Sequence, residues 1–372
     1  MRMVDQPLCL DDFEALARAK IRQDYWDYIA GGAGAERALA ANRAAFARIA
    51  LRPRVLVDVS ACTAATTLLG HELASPVVVA PTAYHRMSHP EGELATARGA
   101  ADAGALYIPS IFSNYPLEDV AAAGGAAPRW QQLYWLHDRE AFGAVVDRAT
   151  AAGYSALVLT VDAPVIGLRL RDARNALTLD ADTLPANLFA AQDLLTTRSE
   201  GSSAVATQSL QAFDASITWD DLAWLRDRSP LPLVLKGIAT AEDARLAVEH
   251  GVAAIVVSNH GGRQLDNPIG TLDILPEVVE AVAGRCPVLF DGGVRTGHDV
   301  AVALALGADA VLVGRPALWG LAVGGAAGVT QVLRLLQTEL ERVMALIGRP
   351  TVARPPGMTA QPAWASVTRN RP

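Results

Sequence analysis

The feature that most constrains the fold is a series of eight short apolar runs that alternate with helix-like segments after Ser75. Each run is rich in Val, Ile or Leu along its whole length, which is typical of parallel strands buried on both faces. The runs cover residues 76–83, 106–110, 130–135, 156–162, 231–237, 253–259, 287–293 and 310–316. Eight strand–helix units in this length of chain predict an α/β fold, a (β/α)8 TIM barrel.

The segments between and after the runs have the pattern of amphipathic helices. They cover residues 91–104, 116–123, 138–152, 218–228, 240–250, 272–283, 297–306 and 325–347. Thr240, Thr271 and Thr296 are candidate N-caps. An open doubly wound sheet is disfavoured because no GxGxxG follows the first run. We expect one domain over residues 1–372, with helices at 11–47, the barrel at about 75–350 and an irregular Pro-rich tail at 351–372.

One connection is unusually long. Residues 163–217, after the fourth run, contain no strong strand pattern and much Ser, Ala, Gln and Asp. Connections of this length are usually functional, for example active-site lids, so a lid and a flexible surface loop both remain open interpretations.

Composition limits the kinds of ligand and partner that this protein is expected to bind. A net charge of −7 and the lack of a basic patch argue against a nucleic-acid partner. Cys9, Cys62 and Cys286 have neither metal-like nor disulfide-like spacing, so we expect no metal. The N-terminus lacks a signal-peptide pattern, and no apolar run approaches the roughly 20 residues of a membrane helix. We therefore expect a cytoplasmic protein without a membrane partner.

Polar side chains are concentrated where the runs end. Chemistry in a barrel lies at the C-terminal ends of its strands, so these residues are candidates for an active site. They are Thr82, Ser110, Gln132, Tyr134, Thr160, Asp162, Lys236, Ser258, Asn259, His260, Asp291 and Arg315.

The last two strand ends carry glycines with an arginine. They read "DGGVRTGHD", residues 291–299, and "GRP", residues 314–316. Glycines let backbone N–H groups approach a ligand closely, and Arg295 and Arg315 could clamp a phosphate, which this architecture binds after its last strands. The alternative is that the glycines only form tight turns.

The stretch "SNHGGRQLD", Ser258 to Asp266, places a titratable ring and a permanent cation on one glycine-rich corner. Histidine is the natural base near neutral pH, and Asp162 could orient His260. Arg263 and Arg169 could hold a carboxylate, with Arg171 and Arg174 as competitors for the second role. The alternative is a packed or surface histidine.

Lys236 ends a buried run, so its charge needs an anionic partner. A cofactor ring that gains negative charge on reduction would supply one.

These motifs together resemble the FMN-dependent (S)-2-hydroxy acid oxidases and dehydrogenases. The resemblance extends from about Leu10 to about Gly348 and includes "YWDYIAGGAGAE", "APTAYHRMSHPEGE", "QLYW", "TVDAP", "LKGI", "SNHGGRQLD", "DGGVRTG" and "LVGRP". "APTAYHRMSHPEGEL" and "GLRLRDARN" look most similar to the 4-hydroxymandelate oxidases of this family. Leu168 and residues 178–180 depart from the family pattern near the substrate, which leaves the identity of the acid open.

The resemblance implies roles for individual residues. His260 would take a proton during oxidation of the substrate α-carbon, with Asp162 as its partner. Arg263 and Arg169 would bind the substrate carboxylate. Tyr28 and Tyr134 would contact the substrate, and Lys236 would face the N1/O2 edge of the flavin.

The resemblance also implies FMN as the cofactor and a set of residues around it. The isoalloxazine ring would contact Thr82, Ala83, Ser110, Gln132 and Thr160, and Ser258 would help to hold the flavin. The ribityl chain and phosphate would contact Asp291, Gly293, Arg295, Gly314 and Arg315. Relatives are commonly tetramers or octamers, so a homo-oligomer is expected.

The substrate and the electron acceptor follow from finer features. Tyr84, Phe112, Ile166 and Tyr28 would form an apolar, aromatic side-chain pocket, which favours (S)-mandelate or 4-hydroxymandelate over lactate or a longer aliphatic acid. Ala83 resembles the oxidases rather than the dehydrogenases that carry glycine there, which favours O2 as acceptor and H2O2 as product. A dehydrogenase with another acceptor, a non-catalytic flavin-binding protein and another FMN barrel enzyme, such as an isopentenyl diphosphate isomerase, remain alternatives.

Overall fold

A parallel sheet of seven strands forms the centre of the molecule. The computed structural model describes residues 7–188, 203–353 and 361–362. The sheet has the strand order β4-β10-β9-β8-β7-β6-β5. Its strands are β4 Val77–Val79, β5 Gln131–Leu133, β6 Leu157–Thr160, β7 Leu233–Ile238, β8 Ala254–Val257, β9 Val288–Phe290 and β10 Ala310–Val313. The remaining described strands are β1 Ile49–Ala50, β2 Thr66–Leu68, β3 His71–Leu73 and β11 Gln361–Pro362.

The second apolar run closes this sheet into a barrel without forming a regular strand. Tyr107 makes parallel bridges to Val79 beside it and to Arg129 just before β5. The Ile108 N–H donates to Val79 O at 3.0 Å, and the Trp130 N–H donates to Tyr107 O at 3.1 Å. Pro109 has no N–H to donate, so the regular ladder is interrupted there, although Pro109 O still accepts from the Gln132 N–H at 3.0 Å. The predicted barrel is confirmed, with seven strands and one extended segment in the eight positions.

Helices surround the barrel at the predicted places, with differences at their ends. They are α1 Leu10–Lys20, α2 Gln23–Ala30, α3 Arg37–Phe46, α4 Gly92–Asp102, α5 Leu117–Gly124, α6 Arg139–Ala151, α7 Leu170–Arg174, α8 Ala204–Ala212, α9 Leu222–Arg228, α10 Ala241–Glu249, α11 Thr271–Val282, α12 Gly297–Ala305 and α13 Arg315–Leu346. The last helix was expected from residue 325. It begins ten residues earlier because Pro316 fits a first helical turn, and it bends at Gly324 and Gly325.

Two of the three predicted caps are present. The hydroxyls of Thr240 and Thr296 accept hydrogen bonds from the N–H groups of Asp243 and Asp299. Thr271 does not cap α11, because Gly270 occupies the N-cap position. The Thr271 N–H instead donates to Asn42 Oδ1 at 3.3 Å, so a side chain distant in sequence partners this helix end.

The interior of the barrel is filled, which confines ligands to its ends. Alternate strand residues such as Val78, Val158 and Val256 form a buried cluster inside the sheet. Leu68 and Leu73 of the β2–β3 hairpin belong to the same cluster, so the hairpin covers the N-terminal end of the barrel. The opposite strand faces pack against the helices in a larger cluster.

The long connection 163–217 contains helical structure rather than only loop. It includes α7, a 3-10 turn at Ala181–Thr183 and α8, while residues 189–202 lie outside the described residues. An antiparallel bridge from Phe213 to Leu136 ties the end of α8 to the chain after β5. In the tail, Gln361–Pro362 pairs with Ile49–Ala50, and the other residues beyond 353 lie outside the described part.

Among the described residues, α13 is long and apolar enough to span a membrane by length and composition. The expectation that no segment would reach this limit is therefore wrong. However, 72% of the most apolar window of α13 is buried inside the protein, as in the core helix of a soluble fold. This feature is weak evidence for a membrane span.

Candidate active site

A cavity opens at the C-terminal ends of the strands. Together with the solvent at its mouth it encloses about 1080 Å³ of empty volume. Most of the predicted site residues line it: Tyr28, Thr82, Ala83, Tyr84, Ser110, Phe112, Tyr134, Ile166, Arg169, Lys236, His260, Arg263, Asp291, Gly293, Arg295, Gly314 and Arg315. The prediction that the strand ends meet at one site therefore agrees with the geometry.

Five predicted residues do not line the cavity. Asn259 exchanges side-chain hydrogen bonds with Asn42, and the other four bond to residues of the cavity wall or to one another. Asp162 bonds His260, and the Lys236 ammonium donates to the Ser258 hydroxyl at 2.8 Å. Gln132 accepts a hydrogen bond from the Ser110 hydroxyl at 3.0 Å and donates one to Thr160 Oγ1 at 3.0 Å.

His260 and Asp162 form a hydrogen-bonded pair across two strand ends. His260 Nδ1 lies 2.9 Å from Asp162 Oδ1, and His260 Nε2 lies 3.4 Å from Tyr134 Oη. The φ of His260 is +58°, a conformation that is uncommon for a side-chain-bearing residue and is concentrated at functional sites. A Cβ at Gly237, where φ is +112°, would lie 2.6 Å from the Asp162 Cβ. Only glycine in "LKGI" therefore permits this position of Asp162.

Electrostatics favour a neutral imidazole beside an ionised carboxylate. Burial lowers the pKa of His260, and the Asp162 carboxylate opposes that effect only in part. Burial would raise the pKa of Asp162, but His260 and Lys236 outweigh it and hold that pKa below its usual value. The ionised Asp162 accepts the Nδ1 proton of His260, so the Nε2 lone pair is free to accept a proton on the side of Tyr134.

Three guanidiniums converge on the same cavity without carboxylate partners. Arg263 donates to the carbonyls of Tyr28 and Gly31, and Arg315 donates to those of Ile29, Gly31 and Gly261. Arg169 has a buried Nε with no hydrogen-bond partner. In residues 7–188 and 203–353, no carboxylate lies within 4.0 Å of these three guanidiniums. Positive charge at one buried and two half-buried positions calls for anionic ligands.

The end of α2 therefore has a role beyond the predicted substrate contact. The carbonyl oxygens there carry the negative end of the helix dipole, and they orient both Arg263 and Arg315. Arg171, the competitor for the Arg169 role, instead pairs with Glu36 at 2.6 Å and does not line the cavity.

Lys236 has an anionic partner within the protein. Its Nζ lies 3.0 Å from Asp291 Oδ2. Burial opposes the positive charge, but the carboxylates of Asp291 and Asp162 raise the pKa of Lys236. The anionic partner expected from a cofactor ring is therefore already supplied by the protein. Asp291 is 55 positions away in the chain, and inspection of each strand end separately could not predict that pairing. Asp291 Oδ1 remains buried without a partner, which fits a hydroxyl donor in the cavity.

The residues present fit a flavin that carries a phosphate. The N-terminus of α13 begins at Gly314 on the cavity wall and presents the positive end of a helix dipole. Arg295 lies beside it, with its guanidinium 4.6 Å from the centre of the Trp319 ring. Burial lowers the pKa of Arg295 to about 10, so it stays protonated at neutral pH. Burial and the guanidiniums of Arg263 and Arg295 lower the pKa of Arg315, and a phosphate would relieve that repulsion.

A buried histidine, which sequence reasoning did not single out, supports the part of the cavity wall that contains Thr82. His85 lies inside "APTAYHRMSHPEGE" and is fully buried. Its Nε2 lies 2.6 Å from Thr82 Oγ1, and its Nδ1 lies 2.9 Å from Thr96 Oγ1. Burial lowers the pKa of His85 to about 3, so the ring is neutral and bridges two hydroxyls.

Aromatic rings form the far wall of the cavity. Tyr84 stacks on Phe112 at a centroid distance of 6.0 Å, and the Phe112 and Tyr134 centroids are 5.6 Å apart. Phe213 stacks on Tyr134 at 4.4 Å. Sequence reasoning missed Val205, Ser209 and Phe213, which also line the cavity, because α8 lies in the segment that carried no strong pattern. The helical spacing of Val205, Ser209 and Phe213 was the available signal.

Comparison with known proteins agrees with this geometry. The family described as FMN-dependent dehydrogenase matches residues 17–357. An L-lactate oxidase from Nostoc sp. is 52% identical over 351 residues, covering 94% of this chain and 96% of that protein. A 4-hydroxymandelate oxidase from Amycolatopsis orientalis is 47% identical over 343 residues, covering 92% and 95%. A crystal structure of mandelate oxidase with (S)-4-hydroxymandelic acid superposes with a TM-score of 0.90 at 46% identity, covering 93% and 96%.

This chain belongs to the FMN-dependent dehydrogenase family. It is an FMN-dependent 2-hydroxy acid oxidase, as the names of its relatives indicate. The resemblance found in the sequence motifs is confirmed, and so is FMN as the cofactor.

Proposed function

We propose that this member of the FMN-dependent dehydrogenase family oxidises an aryl (S)-2-hydroxy acid, (S)-mandelate or (S)-4-hydroxymandelate. The hydroxy acid loses two electrons and two protons to become the 2-oxo acid, and O2 gains them to become H2O2. The observation that carries the aryl side chain is the ring cluster of Tyr84, Phe112, Tyr134 and Phe213 on one wall. Aromatic pairs at these distances favour a further ring by about 0.5–1.5 kcal/mol beyond area burial.

The carboxylate of the substrate would lie between Arg169 and Arg263. Both guanidiniums line the cavity near Tyr28, at 5.7 and 4.7 Å from the centre of its ring. Neither has a carboxylate within 4.0 Å in the described ranges, and the more distant Asp172 compensates their charge only in part, so an acid would neutralise the remainder. A ligand held by its carboxylate at this point reaches both His260 and the aromatic wall, which line the same cavity.

His260 is the proposed base. Its neutral imidazole has Nε2 available, and Asp162 accepts from Nδ1 and would stabilise the imidazolium after proton transfer. Tyr134 Oη, 3.4 Å from Nε2, would donate to the substrate hydroxyl or its developing negative charge. Burial raises the pKa of Tyr134, so the phenol remains a donor at neutral pH.

FMN, when bound, supplies the two-electron acceptor for this oxidation. We assign Thr82, Ala83, Ser110 and Lys236 to its ring, with Gln132, Thr160 and Ser258 behind them. Asp291, Gly293, Arg295, Gly314 and Arg315 would hold the ribityl chain and phosphate, where Asp291 Oδ1 lacks a partner and the half-buried guanidiniums of Arg295 and Arg315 lie at the N-terminus of α13. Ala83 in the cavity wall and the oxidase names of the relatives support O2 as the final acceptor.

Oxidation of lactate is the second candidate. The L-lactate oxidase relative is 52% identical, against 47% for the 4-hydroxymandelate oxidase. A methyl side chain needs none of the aromatic wall, so the wall itself favours the aryl acid. The cytoplasmic location and the tetramer or octamer remain predictions from the sequence.

Anaerobic reduction of the FMN-loaded enzyme tests the proposal. Equal concentrations of (S)-mandelate, (S)-4-hydroxymandelate and (S)-lactate are mixed with the protein, and bleaching of the flavin band is followed before air is admitted. We expect faster bleaching by an aryl acid, then rapid recolouring with one H2O2 per flavin. Faster bleaching by lactate, or none by any of the three, would overturn the substrate assignment, and slow recolouring would overturn the acceptor.

A further inference from the structure

Two cavities share one wall in this molecule. The second cavity opens at the surface beside the active site and encloses about 650 Å³ of empty volume, including the solvent at its mouth. It is lined by His137, Pro164, Val165, Ser209, Phe213, Asp214, Ala215 and Ser216. Ser209 and Phe213 line both cavities, so these two side chains separate them.

The backbone on either side of Phe213 is held firmly by hydrogen bonds. The Phe213 N–H donates to Ser209 O at 2.9 Å, and the Asp214 N–H donates to Trp135 O at 3.0 Å. Phe213 also forms the antiparallel bridge to Leu136. These contacts use backbone atoms only, so they persist when the side chain is shortened.

The ring of Phe213 is fixed by its neighbours. It stacks on Tyr134 at 4.4 Å and lies 5.8 Å from Phe112, and the residue is only 5% exposed. The orientation of the Ser209 side chain is also fixed, since its hydroxyl donates to Val205 O at 2.9 Å. The wall is therefore one ring thick at Phe213, with the substrate cavity on one side and the second cavity on the other.

We propose that Phe213 determines how long a substrate side chain the enzyme accepts. Its ring, beside Phe112 and Tyr134, ends the aromatic part of the substrate cavity, and shortening it joins the two cavities. The extended space would admit an aryl 2-hydroxy acid with a bulky para substituent. The space beyond the ring is bordered by Pro164 and Val165 and by the polar groups of His137 and Asp214, so an apolar ring with a polar end fits it.

The size of the effect follows from how hydrophobic pockets discriminate. One methylene too many commonly costs about 10–200-fold in kcat/KM, and a second aromatic ring exceeds that excess several times over. In the intact enzyme (S)-4-phenylmandelate should therefore be a very poor substrate relative to (S)-mandelate. This inference rests on the proposed function for the aryl class, but the role of Phe213 does not depend on which acid is used.

The experiment compares Phe213→Ala with Val205→Ala in the FMN-loaded enzyme. Val205 lies in α8, which ends just before Phe213, and lines the substrate cavity but not the second cavity. Its shortening therefore adds space without joining the two. The measured quantity is the ratio of flavin-reduction efficiencies for (S)-4-phenylmandelate and (S)-mandelate. A ratio cancels any general loss that arises because Phe213 also supports Tyr134.

We expect the ratio to rise at least about 10-fold in Phe213→Ala and by less than about 3-fold in Val205→Ala. An unchanged ratio in Phe213→Ala, or an equal rise in Val205→Ala, would overturn the proposal. If Phe213→Ala does not retain FMN, Phe213→Leu replaces it, and a ratio that stays at the wild-type value is again a contradiction.

The two proposals fail in different ways. If the intact enzyme reduces its flavin with lactate but not with mandelate, the aryl function is wrong. The role of Phe213 is then tested with the ratio of flavin-reduction efficiencies for (S)-2-hydroxyoctanoate and (S)-lactate. The expected rises are the same, at least about 10-fold in Phe213→Ala and less than about 3-fold in Val205→Ala.

Discussion

The polar corner around His260 and the aromatic wall around Phe213 lie on the same cavity but are built by different parts of the chain. His260 follows β8, Asp162 follows β6 and Lys236 lies in β7, and these three strands are neighbours in the sheet. A hydrogen bond joins His260 to Asp162, and Lys236 donates to Ser258 two residues before His260. Phe213 comes from the long connection between β6 and β7 and reaches the cavity through ring contacts. The reacting groups thus lie on or directly after the barrel strands. The proposed limit on substrate size comes from the long connection between β6 and β7.

The two regions should also respond differently to substitution. Hydrogen bonds and charges in the corner depend on fixed geometry, since Gly237 must leave room for Asp162 and His260 adopts a positive φ. Ring packing in the wall depends on volume, which tolerates change better. Substitutions in the corner should therefore reduce the reaction of every substrate, and substitutions in the wall should change the order of preference among substrates.

The largest effect should come from the base. His260→Ala is expected to slow flavin reduction by about 10²–10⁴-fold with every 2-hydroxy acid, because no other group takes the proton at that point. Stopped-flow reduction measures this, with the FMN content of the purified protein as control. Reduction at near-wild-type speed would remove His260 from this role, and with it the distinction between the two regions.

A smaller loss should follow from the carboxylate clamp. Arg169→Leu is expected to lower kcat/KM for (S)-mandelate by about 10²-fold, since loss of a buried charged hydrogen bond costs about 2–5 kcal/mol. The methyl ester of mandelate, which lacks the negative charge, is the control substrate. The preference for the acid over the ester should fall in the variant, and an unaltered preference would place the carboxylate elsewhere.

The pH dependence sharpens the account of the corner. The Asp162 carboxylate raises the pKa of His260 against burial, so Asp162→Asn should let that pKa fall further below its ordinary value. Because the base acts when unprotonated, the acid limb of the reduction rate should move to lower pH. The plateau should be lower as well, because the imidazolium loses its counter-charge. An acid limb that moves to higher pH, or stays in place, would contradict the pairing.

The smallest effect is expected from substitution of His85, which lies behind Thr82 in the cavity wall. His85→Phe removes the ring nitrogens that bridge Thr82 and Thr96, leaving the half-buried hydroxyl of Thr82 and the buried hydroxyl of Thr96 without those partners. The free energy of unfolding of the FMN-loaded enzyme in urea should fall by about 1–3 kcal/mol. His85→Gln, which keeps a donor and an acceptor, is the matched control and should lose less. Equal losses in both variants would show that the ring volume matters rather than its hydrogen bonds.

The sequence predicted the barrel because continuous Val, Ile and Leu runs have few alternatives to burial on both faces. It also placed Lys236, His260 and Asp291 at strand ends, and strand ends in a parallel barrel must meet. The second run does not form a regular strand because Pro109 lacks an N–H and interrupts its ladder, although the position of this run in the barrel was predicted. The start of α13 was misplaced because Gly324 and Gly325 interrupt the helical pattern without ending the helix.

What the sequence determined by itself is the set of chemical groups and the end of the barrel at which they gather, because strand periodicity and local motifs are short-range properties. The tertiary structure alone decided which groups pair: Lys236 with Asp291, the carbonyls in the last turn of α2 with Arg263 and Arg315, and Phe213 with Tyr134. These partners are separated by tens to hundreds of residues. Their contacts depend on how the N-terminal helices and the long connection fold back over the barrel, and no local pattern encodes that path.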